Sequence, residues 1–283
     1  MHILFVMKHT HLLINLKVLK MKKLLIIGFM LFSYIYSSGQ VQQKAPTPPP
    51  IPSGPELMKP EMTEIWYPEV KIIQPGATNR DAPSDAIVLF DGTDINKEWI
   101  GMDGKPSIWT IKDGALISTK GSGYIKSKRV FSDFQLHIEW KTPSEVSGFS
   151  QGRGNSGVFL QELYEVQVLD SYDNRTYRNG QAGAMYKQYA PLVNVCRKPG
   201  EWQTYDIIYT APRFSKDSLT YFTPPRVTVI QNGVLVQNNV SLRGPTQYIG
   251  MPEYTIKKHG PLSILLQDHG NPVAYRNIWI RDL

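Results

Sequence analysis

Short segments in which apolar and polar residues alternate are the feature that most constrains the fold of this chain. The clearest one runs from Phe134 to Lys141, where Phe, Leu, Ile and Trp alternate with Gln, His, Glu and Lys. A period of two places the two sets on opposite faces of a β-strand, whereas an amphipathic helix requires a period of about 3.6 residues. The alternation therefore predicts a half-buried strand over these residues.

Turn signals divide the chain beyond residue 84 into similar pieces. Asp113-Gly114 and Asn232-Gly233 each lie between apolar runs, which predicts hairpins over Ser107–Thr119 and Arg226–Val240. The other predicted strands are Ala86–Phe90, Gly157–Asp170, Glu201–Thr210, Leu262–Gln267 and Val273–Leu283. Many short strands without a convincing amphipathic helix indicate an all-β domain, and we expect a sandwich of two antiparallel sheets.

The residues before this domain are predicted to direct export. Met21–Gly39 contains a basic start, an apolar core and a small-residue exit, in the order of a secretory signal peptide. Residues 1–20 are interpreted as an upstream extension, with Met21 as the true start, and the alternative is an uncleaved N-terminal anchor. Residues 40–84 are predicted to be a Pro-rich linker and edge segment. We therefore expect a secreted, periplasmic or cell-surface protein with one folded domain over residues 85–283.

Charge and cysteine content exclude several functional classes. Five of the 31 basic residues lie within the first 23 positions, and the others nearly balance the 24 acidic residues. No basic stripe therefore predicts a nucleic-acid partner, and no membrane contact is expected beyond the signal peptide. Cys196 is the only cysteine, which excludes an intrachain disulfide and a multi-cysteine zinc site. No metal site or cofactor is predicted, although a divalent cation held by distant strands would leave no local pattern.

The strongest functional signal is a strand with polar residues in line. Glu165 and Gln167 alternate with Val166 and Val168 after a Gly/Asn/Ser loop. Successive side chains point to opposite faces, so Glu165 and Gln167 are expected to share one face while the valines enter the core. Carboxylate and amide groups are poor strand formers, which favours a role in ligand contact. The alternatives are a solvated glutamate and a structural amide on an outer sheet face.

Eight segments of the chain occur in the order typical of one protein family. They are LFDGTDINKEW, DGALIS, GNSGVFLQ, YEVQVLDSY, GQAGAMY, PGEWQTYDI, VIQNGVLV and LQDHGNPVAYRNIWIR. Together they resemble the 3-keto-disaccharide hydrolase family, over roughly residues 85–283. The resemblance implies a concanavalin- and laminarinase-like jelly roll whose concave sheet holds a sugar. It also implies a hydrolase or lyase that acts on 3-keto-glycosides.

The chain departs from the acidic motif of conventional glycosidases with this fold. Those enzymes carry Glu-x-Asp-x-(x)-Glu on one strand, whereas this chain has Glu165, Gln167 and Asp170 at the matching positions. A ketone at C3 acidifies the C2 proton, so a single base could remove it and the aglycone could leave from C1. Water addition would then give net hydrolysis, and a separate sugar 3-oxidoreductase would supply the substrate. The alternatives are a non-catalytic carbohydrate-binding module and a conventional glycosidase.

The resemblance and the strand pattern together give a set of candidate site residues. Glu165 is the first choice as base or acid, His269 could protonate the leaving oxygen, and Asp170 is a further catalytic candidate unless it caps a turn. The residues expected to bind substrate are Gln167, Glu139, Arg153, Asn155, Gln181, Tyr186, Trp202 and Arg276. The small residues beside Gln181 would let a ligand approach the backbone. We expect Glu165, His269 and Arg276 to meet on one hollowed sheet face.

Overall fold

The computed structural model describes residues 57–215, 221–253 and 258–283. The predicted signal peptide at 21–39 and the first part of the predicted linker lie outside these residues. The chain forms two compact units that divide after Glu69. The described part of the first unit contains a short 3₁₀ helix, Pro60–Thr63. No helix in the described ranges has the length and apolar character needed to cross a bilayer.

The second unit begins at Val70 and is built almost entirely of strands. Its described part contains β1 (Ile87–Phe90), β2 (Trp99–Gly101), β3 (Thr110–Lys112), β4 (Ala115–Ile117), β5 (Ile125–Ser127), β6 (Phe134–Lys141), β7 (Ser156–Leu160), β8 (Tyr164–Val168), β9 (Gln203–Thr210), β10 (Arg213–Phe214), β11 (Tyr221–Thr223), β12 (Arg226–Gln231), β13 (Val234–Ser241), β14 (Leu265–Leu266) and β15 (Ala274–Asp282). Its described helices are 3₁₀ turns at Ile95–Lys97, Ser150–Gly152 and Arg178–Gly180.

The strands form two main antiparallel sheets. The eight-stranded sheet has the order β13-β12-β9-β6-β15-β4-β3, and β1 also pairs with β15. The five-stranded sheet has the order β2-β5-β14-β7-β8, and β10 and β11 form a separate pair. One hydrophobic core holds side chains of both sheets, such as Leu136 and Tyr275 from one and Val158 and Leu266 from the other. The predicted all-β sandwich of two antiparallel sheets is therefore confirmed.

The local patterns that predicted the strands correspond to observed elements. Strand β6 covers Phe134–Lys141, and its Phe, Leu, Ile and Trp side chains are fully buried in the core. Burial of a large apolar side chain contributes about 1.5–3 kcal/mol, so this face anchors the strand to the sandwich. The two predicted hairpins are present as β3–β4 and β12–β13. Asn232 and Gly233 have φ angles of 53° and 81°, as a tight hairpin turn requires.

The prediction of one strand over Gly157–Asp170 is wrong, because the chain reverses within it. Strands β7 and β8 form a hairpin, with Gln161 and Glu162 in the turn at φ angles of 51° and 59°. Neither residue type is common at positive φ, so these positions carry no turn signal. Contacts of the buried Gln161 side chain hold the turn instead. Its Nε2 donates to the Phe131 carbonyl at 2.8 Å, and its Oε1 accepts from the Tyr209 hydroxyl at 2.9 Å.

The segment just before β1 contacts the eight-stranded sheet. Trp279 Nε1 and Asn277 Nδ2 both donate to the carbonyl of Arg80, each at 2.9 Å. Asp85 forms an ion pair with Arg281 at 2.8 Å. These contacts join residues 80–85 to the last strand of the sandwich.

Candidate active site

The strand register of the five-stranded sheet aligns side chains in two rows on its outer face. The first row consists of Lys126, Leu265, Phe159 and Glu165. The second row consists of Gln267, Gly157 and Gln167. The backbone amide of Gln267 donates to the Gly157 carbonyl, and Gly157 pairs with Gln167 across β7 and β8. Val158, Val166 and Leu266, which lie between these rows, point into the core. The predicted split of the β8 residues between core and outer face is therefore confirmed.

Glu165 is buried although it lies on the outer face. Its side chain leans over Gly157, where an added Cβ would lie only 2.6 Å from Glu165 Oε1. The residue is 4% exposed, and burial raises the pKa of its carboxyl to about 8. No donor or charge in the described part of the chain offsets that burial. The alternative of a solvated glutamate is thus excluded, and a carboxyl of this pKa can exchange a proton near neutral pH.

Gln167 lies beside Glu165 and is held by the loop before β7. Its Nε2 donates to Asn155 Oδ1 at 3.0 Å, and Asn155 Nδ2 donates in turn to the Gln151 carbonyl at 2.6 Å. Asn155 is fixed further because its backbone amide donates to Asn271 Oδ1 at 2.7 Å. The structure therefore brings together two residues that the sequence predicted to bind substrate. Gln167 Oε1 is buried and has no hydrogen-bond partner among the residues described.

Gln267 belongs to the same surface and was missed by the sequence analysis. Its Nε2 donates to the Tyr124 hydroxyl at 2.8 Å, while its buried Oε1 lacks a partner in the described ranges. The signal was present, since Leu265 and Gln267 alternate with the core residue Leu266 as Glu165 and Gln167 do with their valines. The same alternation rule applied to residues 262–267 would have found it.

A cluster of tyrosines and one lysine lies next to Glu165. The Tyr177 and Tyr186 hydroxyls are 2.7 Å apart, and the Tyr186 amide donates to the Glu165 carbonyl at 3.0 Å. Burial, Tyr177 and the Glu165 charge all raise the pKa of Tyr186. Lys187 Nζ lies 5.7 Å from the Tyr186 ring centroid and 4.4 Å from that of Tyr248. The Tyr177 and Tyr186 phenols are thus within electrostatic range of the buried carboxyl, and Lys187 lies over their rings.

The segment Gln181–Tyr186 runs along β8 and does not open the backbone to a ligand. Gly183 has a φ of 75°, and an added Cβ would lie 3.0 Å from atoms of Gln231 and Val236. Ala182 and Ala184 are buried as well. The interpretation that these small residues let a ligand approach the backbone is therefore wrong, because other parts of the protein pack closely against them.

Asp170 and Arg153 form an ion pair at the end of β8. Arg153 Nε lies 2.5 Å from Asp170 Oδ2, and Asp170 Oδ1 accepts from the Tyr172 amide at 3.2 Å. Both carboxylate oxygens are thus used within the turn, as the capping alternative anticipated. The pair lines a cavity of about 300 Å³ together with Asn271.

His269 lies in the turn that follows β14, and its side chain is exposed. Its neighbour Asp268 holds the turn, because Asp268 Oδ1 accepts from the Gly270 amide at 2.8 Å and Oδ2 accepts from the Gly123 amide at 3.2 Å. The imidazole therefore stands at the end of the five-stranded sheet, beyond Gln267. The described residues contain no group of three or more His, Cys, Asp or Glu that could hold a metal ion.

Three predicted site residues lie on the other side of the sandwich. Glu139 pairs with Arg276 across β6 and β15, with Arg276 Nε 2.7 Å from Glu139 Oε2. The Arg276 guanidinium lies 4.0 Å from the centroid of the Trp202 ring. Tyr275 and Trp140, their neighbours in sequence, face the core, so this cluster occupies the outer face of the eight-stranded sheet. The expectation that Glu165 and Arg276 meet on one face is wrong. Alternation predicts on which face of its own sheet a side chain lies, but it does not predict which of the two sheets the strand joins.

The cluster on the eight-stranded sheet includes a buried histidine. His137 Nδ1 lies 2.6 Å from Asp206 Oδ1, and Nε2 lies 3.9 Å from Glu139 Oε1. Burial alone would lower the pKa of His137, but the two carboxylates outweigh it and raise the pKa. Burial likewise opposes ionisation of Glu139, but hydrogen bonds from His137 and Arg276 lower its pKa to about 2. A cavity of about 760 Å³ lies over this cluster and is lined by Glu139, Trp202 and Asp206.

Comparison with known proteins places the chain among carbohydrate-related folds. A family model described as a 3-keto-alpha-glucoside-1,2-lyase-like domain matches residues 85–281. A predicted glycosyl hydrolase from Parabacteroides distasonis ATCC 8503 is 50% identical, with a match that covers 82% of this chain and 100% of that chain at a TM-score of 0.76. A second one from that organism is 22% identical over 70% of this chain and 94% of that chain, with a TM-score of 0.51. No curated protein matches the chain. The predicted concanavalin-like jelly roll is confirmed.

Proposed function

Because the chain belongs to the 3-keto-alpha-glucoside-1,2-lyase-like family and is a carbohydrate-active enzyme, we propose that it cleaves 3-keto-glucosides with Glu165 as the base. The observation that carries this proposal is the burial of Glu165 on the outer face of the five-stranded sheet, where its pKa rises to about 8. A carboxylate that is ionised in such a site is a much stronger base than one in water. Enzymes tune general bases in this way so that they work near neutral pH.

The proposed reaction begins with transfer of the C2 proton of the sugar to Glu165. The electron pair of that bond moves toward the C3 ketone to give an enediolate, and it then forms the C1–C2 double bond as the C1–O bond breaks. The aglycone leaves as an alcohol after its oxygen accepts a proton. Addition of water across the double bond would return a 3-keto-sugar, so that the net reaction is hydrolysis. Without that addition the enzyme would be a lyase.

The groups near Glu165 support this assignment. The hydrogen-bonded Tyr177 and Tyr186 hydroxyls can donate a proton to the leaving oxygen. Lys187, whose Nζ lies 5.7 Å from the Tyr186 ring centroid, would supply a positive charge to an enediolate bound beside these tyrosines. Gln167 and Asn155 would orient sugar hydroxyls from the same face. His269, exposed at the end of this sheet, remains a candidate acid for substrates that extend past β14.

A conventional glycosidase is less well supported, because it needs two carboxyl groups at a set separation. Near the ends of β8, Asp170 is paired with Arg153 at 2.5 Å, and Glu162 lies 3.6 Å from Lys126. Each of these two carboxylates is therefore held by a cation and is not free to act together with Glu165. A reaction that needs one base fits this arrangement better than one that needs an acid and a nucleophile.

Turnover of a defined substrate tests the proposal. The native protein is expected to release 3-keto-glucose from 3-keto-trehalose, with a primary isotope effect when C2 carries deuterium, and not to cleave unoxidised trehalose. Glu165→Gln should lower kcat by at least a hundredfold, since the base is lost. Glu201→Gln, at an exposed acid beside the other sheet, is the matched control and should retain activity. Equal rates for Glu165→Gln and the native protein would overturn the assignment, and parallel reactions with a chelator would reveal a required cation.

We also propose that the protein acts outside the cytoplasm and receives its substrate from a separate sugar 3-oxidoreductase. The support for export is the signal-like segment 21–39. The support for a separate oxidoreductase is that the proposed reaction needs a C3 ketone on the substrate and does not itself form one. N-terminal sequencing of the mature protein should find a start shortly after Gly39. A mature chain that retains Met21 would contradict the export proposal.

A further inference from the structure

The geometry points to a two-acceptor subsite on the second row, in which the amide oxygens of Gln267 and Gln167 bind the hydroxyls on either side of the reacting ketone. We assign Gln167, which neighbours Glu165 on β8, to the C2 hydroxyl, and Gln267 to the C4 hydroxyl. This inference rests on the proposed function, because it takes a 3-keto-glucoside as the ligand. It adds which sugar hydroxyls are recognised, and it names Gln267 as a residue that selects for the C4 hydroxyl.

The first support is that both side chains are buried with unpaired oxygens. Gln167 is 1% exposed and Gln267 is 7% exposed. Their Oε1 atoms are among the few buried side-chain oxygens that lack a partner in the described ranges. Buried polar atoms are nearly always hydrogen-bonded, so two unpaired acceptors on one row are an exception that ligand binding explains.

The second support is that hydrogen bonds to the protein orient both amides. Gln167 Nε2 donates to Asn155 Oδ1 at 3.0 Å, and Asn155 cannot offer its nitrogen there because that nitrogen donates to the Gln151 carbonyl. Gln267 Nε2 donates to the Tyr124 hydroxyl at 2.8 Å, and this hydroxyl can also act as a donor. The free Gln167 oxygen is therefore set by its neighbours, and in the observed orientation Gln267 also presents its oxygen, which suits a hydroxyl and disfavours a ketone oxygen.

The third support is the position of Gly157 and the Glu165 carboxyl between the two amides. Gly157 separates Gln267 from Gln167 in the row, and its φ lies outside the left-handed region, so the backbone does not require a glycine there. Any side chain at this position would meet the Glu165 carboxyl, which lies over the glycine between the two glutamines. Strands lie about 4.8 Å apart, so the two glutamine Cα atoms are about 10 Å apart, which suits a single pyranose ring with a hydroxyl toward each side.

Binding of a matched pair of ligands tests this subsite. Calorimetric titration with the Glu165→Gln protein, in which turnover is prevented, gives the affinities for a 3-keto-glucoside and for its 4-deoxy analogue. Adding Gln267→Leu should weaken binding of the 3-keto-glucoside at least tenfold and leave the affinity for the 4-deoxy analogue unchanged. Gln135→Leu, the same change on the eight-stranded sheet, is the control and should affect neither ligand. Equal losses for both ligands, or no loss for either, would overturn the proposal.

A second variant covers the case in which Gln267→Leu fails to fold. Tyr124→Phe removes the hydroxyl that holds Gln267 Nε2, so the amide can rotate and the preference for the 4-hydroxyl should fall several-fold. An unchanged preference in a folded Tyr124→Phe protein would overturn the assignment of Gln267. If a chelator abolishes ligand binding and calcium restores it, the oxygens hold a cation, which also overturns the proposal.

The outcome separates this inference from the proposed function. The same titrations are made with an unoxidised glucoside and its 4-deoxy analogue. If 3-keto-glucosides are not cleaved but the Gln267-dependent preference for the 4-hydroxyl persists, the subsite stands and the proposed reaction fails. If cleavage occurs and the preference is absent, the reaction stands and the subsite is overturned.

Discussion

At the scale of single residues, position alone changes the chemistry of Glu165. Its neighbours on β8 enter the core, its carboxyl occupies the space over a glycine, and no charge among the described residues compensates for its burial. The sequence could predict the face on which this residue lies, because alternation is a local property. It could not predict the depth of burial, which depends on segments distant in sequence, such as the one that contains Tyr186.

The raised pKa of Glu165 predicts a pH-dependent stability difference between the native protein and Glu165→Gln. The folded carboxyl keeps its proton until about pH 8, whereas the unfolded one releases it near 4.5. Unfolding therefore releases a proton in this interval, so the native protein loses stability relative to the variant as the pH rises from 4.5 to about 8. Thermal unfolding of both proteins across this range should show the variant gaining several degrees in Tm over the native protein. A difference that does not vary with pH would contradict the assigned pKa.

The same shift makes a prediction for activity. If the ionised carboxylate removes the C2 proton, kcat/KM of the native protein should rise with pH up to about 8 and then level off. A rate that falls over this interval would identify Glu165 as the acid instead.

At the scale of strands, local pairings were predictable and the assignment of strands to sheets was not. The hairpins β3–β4 and β12–β13 follow from Asp-Gly and Asn-Gly turns. The turn between β7 and β8 was missed because Gln161 and Glu162 adopt positive φ without a residue type that signals it. Alternation on the last strand favours a position for Arg276 beside Glu165, yet β15 pairs with β6 in the eight-stranded sheet.

This strand assignment predicts that Arg276 stabilises the protein and does not contribute to binding. Arg276→Met should lower the free energy of unfolding by about 1–3 kcal/mol, because it leaves the buried Glu139 carboxylate with fewer donors. Denaturant titration measures this loss, and kcat/KM per folded molecule should stay within twofold of the native value. The reverse result, a large loss of kcat/KM at unchanged stability, would restore Arg276 to the substrate site.

At the scale of the whole molecule, the sandwich carries polar clusters on both outer faces, and they differ in how their charges are satisfied. On the five-stranded sheet the Glu165 carboxyl has no compensating charge among the described residues, whereas on the eight-stranded sheet Glu139 is paired with Arg276 and lies near His137. A buried carboxyl whose pKa is strongly raised and that has no partner is a candidate for chemistry, whereas an ion-paired carboxyl is commonly structural. Residue types alone do not distinguish the two faces, because both contain acids and aromatic rings.

The start of the folded unit gives a prediction at this scale. A chain that begins at Val70 retains the Arg80 carbonyl, which accepts from Trp279 and Asn277, whereas one that begins at Asp85 lacks it. The loss of this one acceptor, and with it of two hydrogen bonds, should lower the free energy of unfolding of the shorter chain by about 1–3 kcal/mol. Thermal unfolding of the two chains compares them, and equal Tm values would place the boundary of the folded domain at Asp85, as the sequence predicts.

The segment that follows β8 has a consequence for how this protein behaves at high concentration. β8 is the last strand of the five-stranded sheet, yet its outer edge is not free. The backbone amide of Gln167 donates to the Ala184 carbonyl, and the backbone carbonyl of Glu165 accepts from the backbone amide of Tyr186. Main-chain groups on that side are therefore occupied, and a neighbouring copy cannot add a strand there. Self-association by edge-to-edge pairing is thus blocked along the strand that holds the reactive carboxyl.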